Sequence, residues 1–174
     1  MSNFTSFSSM GIGGSSIRVT SVDEVALESR AANLATRSIK TSSKKAALYL
    51  TIRCMDLTTL EGADTPEKVA ALCQKARNPE PTDPSVPAVA AVCVYPEMVD
   101  HALIGVAGSS VRVASVAGAF PSGMSSISAR TADISDAVRR GAHEIDIVLN
   151  RSAFLAGDEV RAYNEIAASK EACG

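Results

Sequence analysis

The chain has 174 residues, 46% of them hydrophobic and 21% charged, with a net charge of −2 and only 4% aromatic residues. That is length enough for one domain with a buried core, and it lacks the basic field and stacking aromatics that nucleic-acid binding calls for. No stretch is long and apolar enough to span a bilayer.

Residues 1–22 begin MSNFTSFSSMGIGGSS, which is rich in Ser and Gly and carries no charge. This segment is expected to be a disordered tail, and it lacks the apolar region of a secretory signal. GIGG follows no strand, so it does not read as a nucleotide loop. The domain is expected to occupy residues 23–174. DEVALESRAANLATRSIK places Val25, Leu27, Leu34 and Ile39 among Ala and charges, which predicts a helix capped by Ser21 or Asp23. YLTIRCMDL (49–57) predicts the first strand. Asp64 or Thr65 then caps a helix with Pro66 near its first position, running to Arg77. The Pro-rich NPEPTDPSVP suits neither helix nor sheet interior. AVAAVCVY (88–95) predicts the second strand, Pro96 opens a short helix to Val106, and SSVRVASVAG (109–118) predicts the third. A helix starts at Ser125 or Ser126 and ends at Gly141. EIDIVLN (144–150) alternates apolar and polar residues as a fourth strand, and GDEVRAYNEIAASKEACG closes as a helix.

The order is one helix followed by four βα units. Apolar strands alternating with helices predict a parallel sheet covered by helices. An open doubly wound sheet and a (β/α)8 barrel both fit that pattern. In either, chemistry gathers at the C-terminal ends of the strands. Asp56 and Thr58 end the first strand in step with Cys54, Cys93 lies in the second and Asp146 in the fourth. One polar residue in a strand is more often structural than chemical. Two carboxylates in one sheet are costly unless something binds or protonates them. Glu144 reads as structural. His101 and His143 read as surface residues, with no cluster of metal-ligand spacing around them, so no metal and no cofactor are expected. The cysteines, Cys54, Cys73, Cys93 and Cys173, show no CxxC spacing and read as reduced thiols of a cytoplasmic protein.

CMDLTTLEGADTPEKVAALCQKA, AAVCVYPEMV, VRVASVAGAFPSG, GAHEIDIVLNRSAFLAGDE and KEACG, five blocks in order, resemble the deoxyribose-phosphate aldolase family from about Lys44 to Gly174. The resemblance implies a (β/α)8 TIM-barrel fold, of which this chain holds the first four βα units behind an N-terminal helix. It implies a Schiff-base aldolase that interconverts 2-deoxy-D-ribose 5-phosphate with acetaldehyde and D-glyceraldehyde 3-phosphate, without a metal. By the same resemblance Asp146 is the proton-relay catalytic residue, and Asp56, Thr58 and Cys93 line the substrate pocket.

The family forms its Schiff base on a lysine of the sixth strand, in a motif like FIKTSTG. The six lysines here are Lys40, Lys44, Lys45, Lys68, Lys75 and Lys170, and none is placed in a predicted strand. The expectation is therefore the N-terminal half of an aldolase. The alternatives are a catalytically inactive half-barrel that binds a partner or phosphosugar, and one part of a split aldolase. The expected partners are a phosphosugar or aldehyde substrate and either a second copy or a complementing C-terminal half-barrel, with no nucleic acid and no membrane.

Overall fold

The computed structural model describes residues 10–12, 15–17 and 21–174. They fall into two units that divide between Ser43 and Lys44. The first unit holds β1 (Met10–Ile12) and β2 (Ser15–Ile17), an antiparallel pair with Met10 opposite Ile17, and α1 (Glu24–Ala35). Most of the tail expected to be disordered, 1–22, lies outside the described residues. Asp23 caps α1 by accepting from the Ala26 N–H at 3.0 Å, as its position before the periodic run predicts. No residue of α1 is buried.

A second helix, α2 (Thr41–Arg53), occupies much of the segment predicted as the first strand. The true strand, β3, is only Asp56–Thr58. KKAALYLTIR is rich in good helix formers, and a short apolar run does not by itself separate helix from strand. Cys54 therefore sits exposed past the end of α2, out of step with Asp56 and Thr58.

From β3 onward the βα alternation holds. α3 (Pro66–Arg77) follows, with Thr65 as its cap and Pro66 at the start of its first turn. Then come β4 (Ala91–Val94), a 3-10 turn at Pro96–Met98 and α4 (Val99–Val106). β5 (Arg112–Val116), α5 (Ile127–Arg139) capped by Ser126, and β6 (Glu144–Asp146) come next. β6 is shorter than the alternating run suggests. Its continuation leaves the ladder, and Asn150 caps a helix that the sequence reading omitted, α6 (Arg151–Leu155). α7 (Glu159–Ala172) closes the chain.

The four strands β3-β4-β5-β6 are parallel and stand in sequence order. A doubly wound sheet reverses its strand order at a switch point. This one does not, so the four βα units are consecutive staves of a (β/α)8 barrel. The two faces of the sheet differ accordingly. On one, Val92, Val94 and Val113 pack against Val69, Cys73 and Ala76 of α3 and Val99, Ala102 and Val106 of α4. Each such valine contributes about 1.5–3 kcal/mol by leaving water. α3 and α4 approach so closely that a Cβ on Gly105 would lie 2.7 Å from the Cys73 Cβ. A neighbouring cluster joins Ile134 and Ala137 of α5 to Ala117, Ile145 and Ile147. On the other face Ala91, Cys93, Ala114 and Val116 are covered by Leu60, Tyr95 and Phe120 from the loops. That loop-covered face corresponds to the barrel interior.

Candidate active site

Register partners in a parallel ladder share a face, and every second residue along a strand returns to it. Asp56 pairs with Ala91, and Ala91 with Arg112. Thr58 pairs with Cys93, Cys93 with Ala114, and Ala114 with Glu144. Val116 pairs with Asp146. The interior face thus carries Asp56, Thr58, Cys93, Arg112, Glu144 and Asp146. All four residues singled out from the sequence meet on it.

The Cys93 thiol lies 3.6 Å from Asp146 Oδ2 and donates to it. Cys93 is 3% exposed, whereas Asp56, Thr58 and Asp146 are exposed. Burial first, then the charge and hydrogen bond of Asp146, and then the charge of Asp56, push the Cys93 thiol up to about 12, while a hydrogen bond with Thr58 works the other way. Cys93 is therefore a proton donor here and not a nucleophile, because only the thiolate attacks. Asp56 is exposed as a residue, yet partial burial of its carboxyl is the first cause that raises it, followed by the charges of Glu144 and Asp146. Glu144 is in turn paired with Arg112, Nε to Oε1 at 3.2 Å across β5 and β6. Both partners of that pair are more than half exposed, so it contributes at most about 1 kcal/mol. Among the described residues no three His, Cys, Asp or Glu side chains form a group able to hold a metal ion.

His101 is exposed on α4, and His143 is exposed at the entry to β6. His143 ties the start of β6 to β5. Its Nδ1 accepts from the Val113 N–H at 3.0 Å, while its backbone N–H donates to the Val113 carbonyl at 2.8 Å. The lysines stand on α2, α3 and α7, with Lys40 between α1 and α2; none belongs to the four-stranded sheet.

The loops at the C-terminal strand ends are pinned by carboxylates. Asp64 accepts from Thr59 Oγ1 at 2.8 Å and the Glu61 N–H at 3.0 Å, and it pairs with Lys68. Asp133 of α5 accepts from the Gly118 N–H at 2.8 Å and the Ala119 N–H at 3.4 Å, just past β5. Gly118 and Ala119 both hold positive φ, +74° and +61°, so this turn is left-handed and needs such support. Arg130, also on α5 and 1% exposed, donates to the Val148 carbonyl and to Glu165 of α7. Sequence reasoning passed over Arg112, Arg130 and Asp133. Arg130 had a readable signal: it falls in line with Ile134 and Ala137 on the buried face of α5, where a charge is out of place.

Comparison with known proteins decides what this arrangement belongs to. Residues 50–174 match the model of the DeoC/LacD family aldolases. The chain belongs to that family. It is 40% identical over 150 residues to the deoxyribose-phosphate aldolase of Mus musculus, an alignment that covers 80% of this chain and 47% of the relative. The Homo sapiens deoxyribose-phosphate aldolase is 39% identical over the same shares. The chain spans about half the length of the curated relatives it matches. Among solved structures it resembles QR15, an aldolase, with a TM-score of 0.60 and 26% identity over 70% of this chain and 50% of that one. The tetrameric deoxyribose phosphate aldolase of Aeropyrum pernix shares the fold, with a TM-score of 0.55 and 20% identity over 72% of this chain and 50% of that one.

Proposed function

We propose that this chain supplies the proton-relay half of a Schiff-base aldolase site acting on 2-deoxy-D-ribose 5-phosphate. The observation that carries the reading is the meeting of Asp146 with Cys93 at 3.6 Å, beside Asp56 and Thr58, on the interior face of the sheet. In this reading Asp146 takes and returns the proton at the carbon next to the carbonyl. Asp56, held up by burial and by its carboxylate neighbours, and Thr58 hydrogen-bond the hydroxyls of the sugar. Cys93 stays protonated and fills the pocket wall.

Nucleophilic catalysis on a carbonyl needs an amine of lowered pKa held against it. None of the six lysines belongs to the sheet. In this reading the amine lies on barrel strands beyond these four βα units, which pair with the outer strands β3 and β6. The cytoplasmic location expected from the thiols goes with this reading.

Complementation tests it. The chain is mixed with a polypeptide that carries the remaining barrel strands of a family member, including the FIKTSTG segment. Cleavage of deoxyribose 5-phosphate is followed as acetaldehyde release. Neither part alone should cleave the sugar, both together should, and D146N in the mixture should abolish it. Borohydride trapping of the substrate on any of the chain's own six lysines would overturn the assignment of the amine. Full cleavage by the D146N mixture would overturn the role of Asp146.

A further inference from the structure

Asp146 is the last residue of β6 on the ladder, so the ladder itself fixes it from one side only. Beyond it, Ile147–Asn150 run free of strand pairing to the cap of α6. A catalytic carboxylate at a frayed strand end needs other support. The structure supplies it from the end of β5 and from two side chains of α5, one of them paired with Glu165 of α7.

On one flank, the Asp146 carbonyl accepts from the Ala117 N–H at 3.0 Å, and the next residue, Gly118, is held by Asp133 Oδ2 at 2.8 Å. On the other flank, Arg130 Nη2 donates to the Val148 carbonyl at 3.0 Å. Arg130 Nη1 reaches Glu165 at 2.6 Å, and the same Glu165 oxygen accepts from Asn150 Nδ2 at 2.9 Å. Arg130 and Asp133 are three residues apart on α5 and so lie on adjacent turns of one face. Arg130 grips the chain two residues after Asp146, and Asp133 grips the turn after β5, whose Ala117 N–H meets the Asp146 carbonyl.

The energetics point away from a purely structural purpose. Arg130 is 1% exposed, and its Nε is buried without a hydrogen-bond partner. A buried ion pair is often matched or bettered in stability by apolar side chains of similar volume. What the guanidinium adds over a methionine is a fixed reach to Val148 and Glu165. We infer that Arg130 and Asp133 are positioning residues, a clamp on α5 that sets where the Asp146 carboxylate points. The inference rests on the aldolase reading for its purpose but not for its test.

The test reads the Asp146–Cys93 contact in the full chain, without catalysis. Two quantities are measured: the rate of Cys93 alkylation by iodoacetamide at pH 8, and the carboxyl 13C shift of Asp146. The variants are R130M/E165L, which replaces the ion pair by apolar side chains, and D133A, which removes the acceptor of the Gly118 and Ala119 N–H groups. V106A, a cavity in the α4 cluster, serves as a control for lost stability alone. R130M/E165L should melt within a few degrees of the parent. It should nevertheless alkylate Cys93 about five- to tenfold faster, because a displaced Asp146 no longer holds that thiol protonated. D133A should do the same, and both should move the Asp146 carboxyl shift. V106A should lower the melting temperature and leave both readouts in place. If folded R130M/E165L or D133A keeps the parent's alkylation rate within twofold and its Asp146 shift, the clamp is overturned. An acceleration in V106A equal to that in the clamp variants would overturn it as well. A complemented barrel indifferent to D146N would instead sink the aldolase reading and leave the clamp standing.

Discussion

Cys93 offers the sharpest check on the interior face, because its behaviour depends on burial and on Asp146 together. The thiol is pushed up from 9.0 to about 12, by burial first and then by Asp146. At pH 8 a thiol at 9.0 is about one-tenth thiolate, whereas one at 12 is about one part in ten thousand, since each unit is a factor of ten. Alkylation runs through the thiolate, so the chemistry alone slows Cys93 about a thousandfold against an ordinary thiol. Its 3% exposure slows it further. Cys54, exposed after α2, is the internal reference. The chain is treated with iodoacetamide at pH 8, quenched at intervals, digested, and the two cysteines are quantified by mass spectrometry. D146N removes the charge and the carboxylate acceptor but leaves burial, which is the largest cause. It should therefore raise the Cys93 rate about tenfold and not restore the full thousandfold. A Cys93 rate within tenfold of that of Cys54 would refute the burial of the thiol, and a rate unchanged in D146N would refute the placement of Asp146 against it.

Three further outcomes are expected. Asp56 should titrate above the ordinary aspartate value in a carboxyl-detected NMR titration, and E144Q should lower it, because Glu144 is one of the charges that raise it. Stability should fall between pH 9.0 and about 12: the folded state holds the Cys93 thiol neutral while the unfolded chain ionises it from 9.0 upward, so this contribution is whole below 9.0 and lost above it. Urea midpoints of C93A should therefore fall less steeply than those of the parent over the accessible part of that window. G105A should be destabilising. The new Cβ would meet the Cys73 Cβ at 2.7 Å and force α3 and α4 apart at a cost of about 3 kcal/mol, offset by about 1 kcal/mol of better helix propensity. A melting temperature equal to or above the parent's would contradict the close helix approach.

The βα order was legible because its signals are local. Thr65-Pro66 and Ser126 start helices through side-chain oxygens and a fixed φ, and both do so here. The fully apolar AVCV of β4 is what a strand covered on both faces requires. Barrel against open sheet was not legible from the pattern, because the distinction lies in strand order, which is a property of pairing. α2 was misread for a related reason. In KKAALYLTIR the apolar residues are nearly continuous, so neither a period of two nor one of 3.6 shows. Helix propensity then prevails over the strand preference of Tyr49, Thr51 and Ile52.

The candidate site divides along the same physical line. Asp56, Thr58, Cys93 and Asp146 stand out in sequence because each interrupts apolar neighbours, and the pleat then carries them to one face. What holds Asp146 in place does not stand out that way. Arg130 and Asp133 are polar residues on a helix, where polar residues are ordinary. Their roles appear only once α5 is laid against the ends of β5 and β6. Even so, a helix whose buried line reads Arg130, Ile134, Ala137 contradicts its own amphipathic pattern at one position. That position lies at the end of α5 nearest the Gly118–Ala119 turn and the run after Asp146. A buried charge at the loop-facing end of a barrel helix is costly unless backbone carbonyls or a carboxylate receive it. Of the two acceptors Arg130 finds there, the Val148 carbonyl follows the strand end that carries Asp146, and Glu165 belongs to α7. The conflict between pattern and residue was thus the sequence's one pointer from the scaffold to the site.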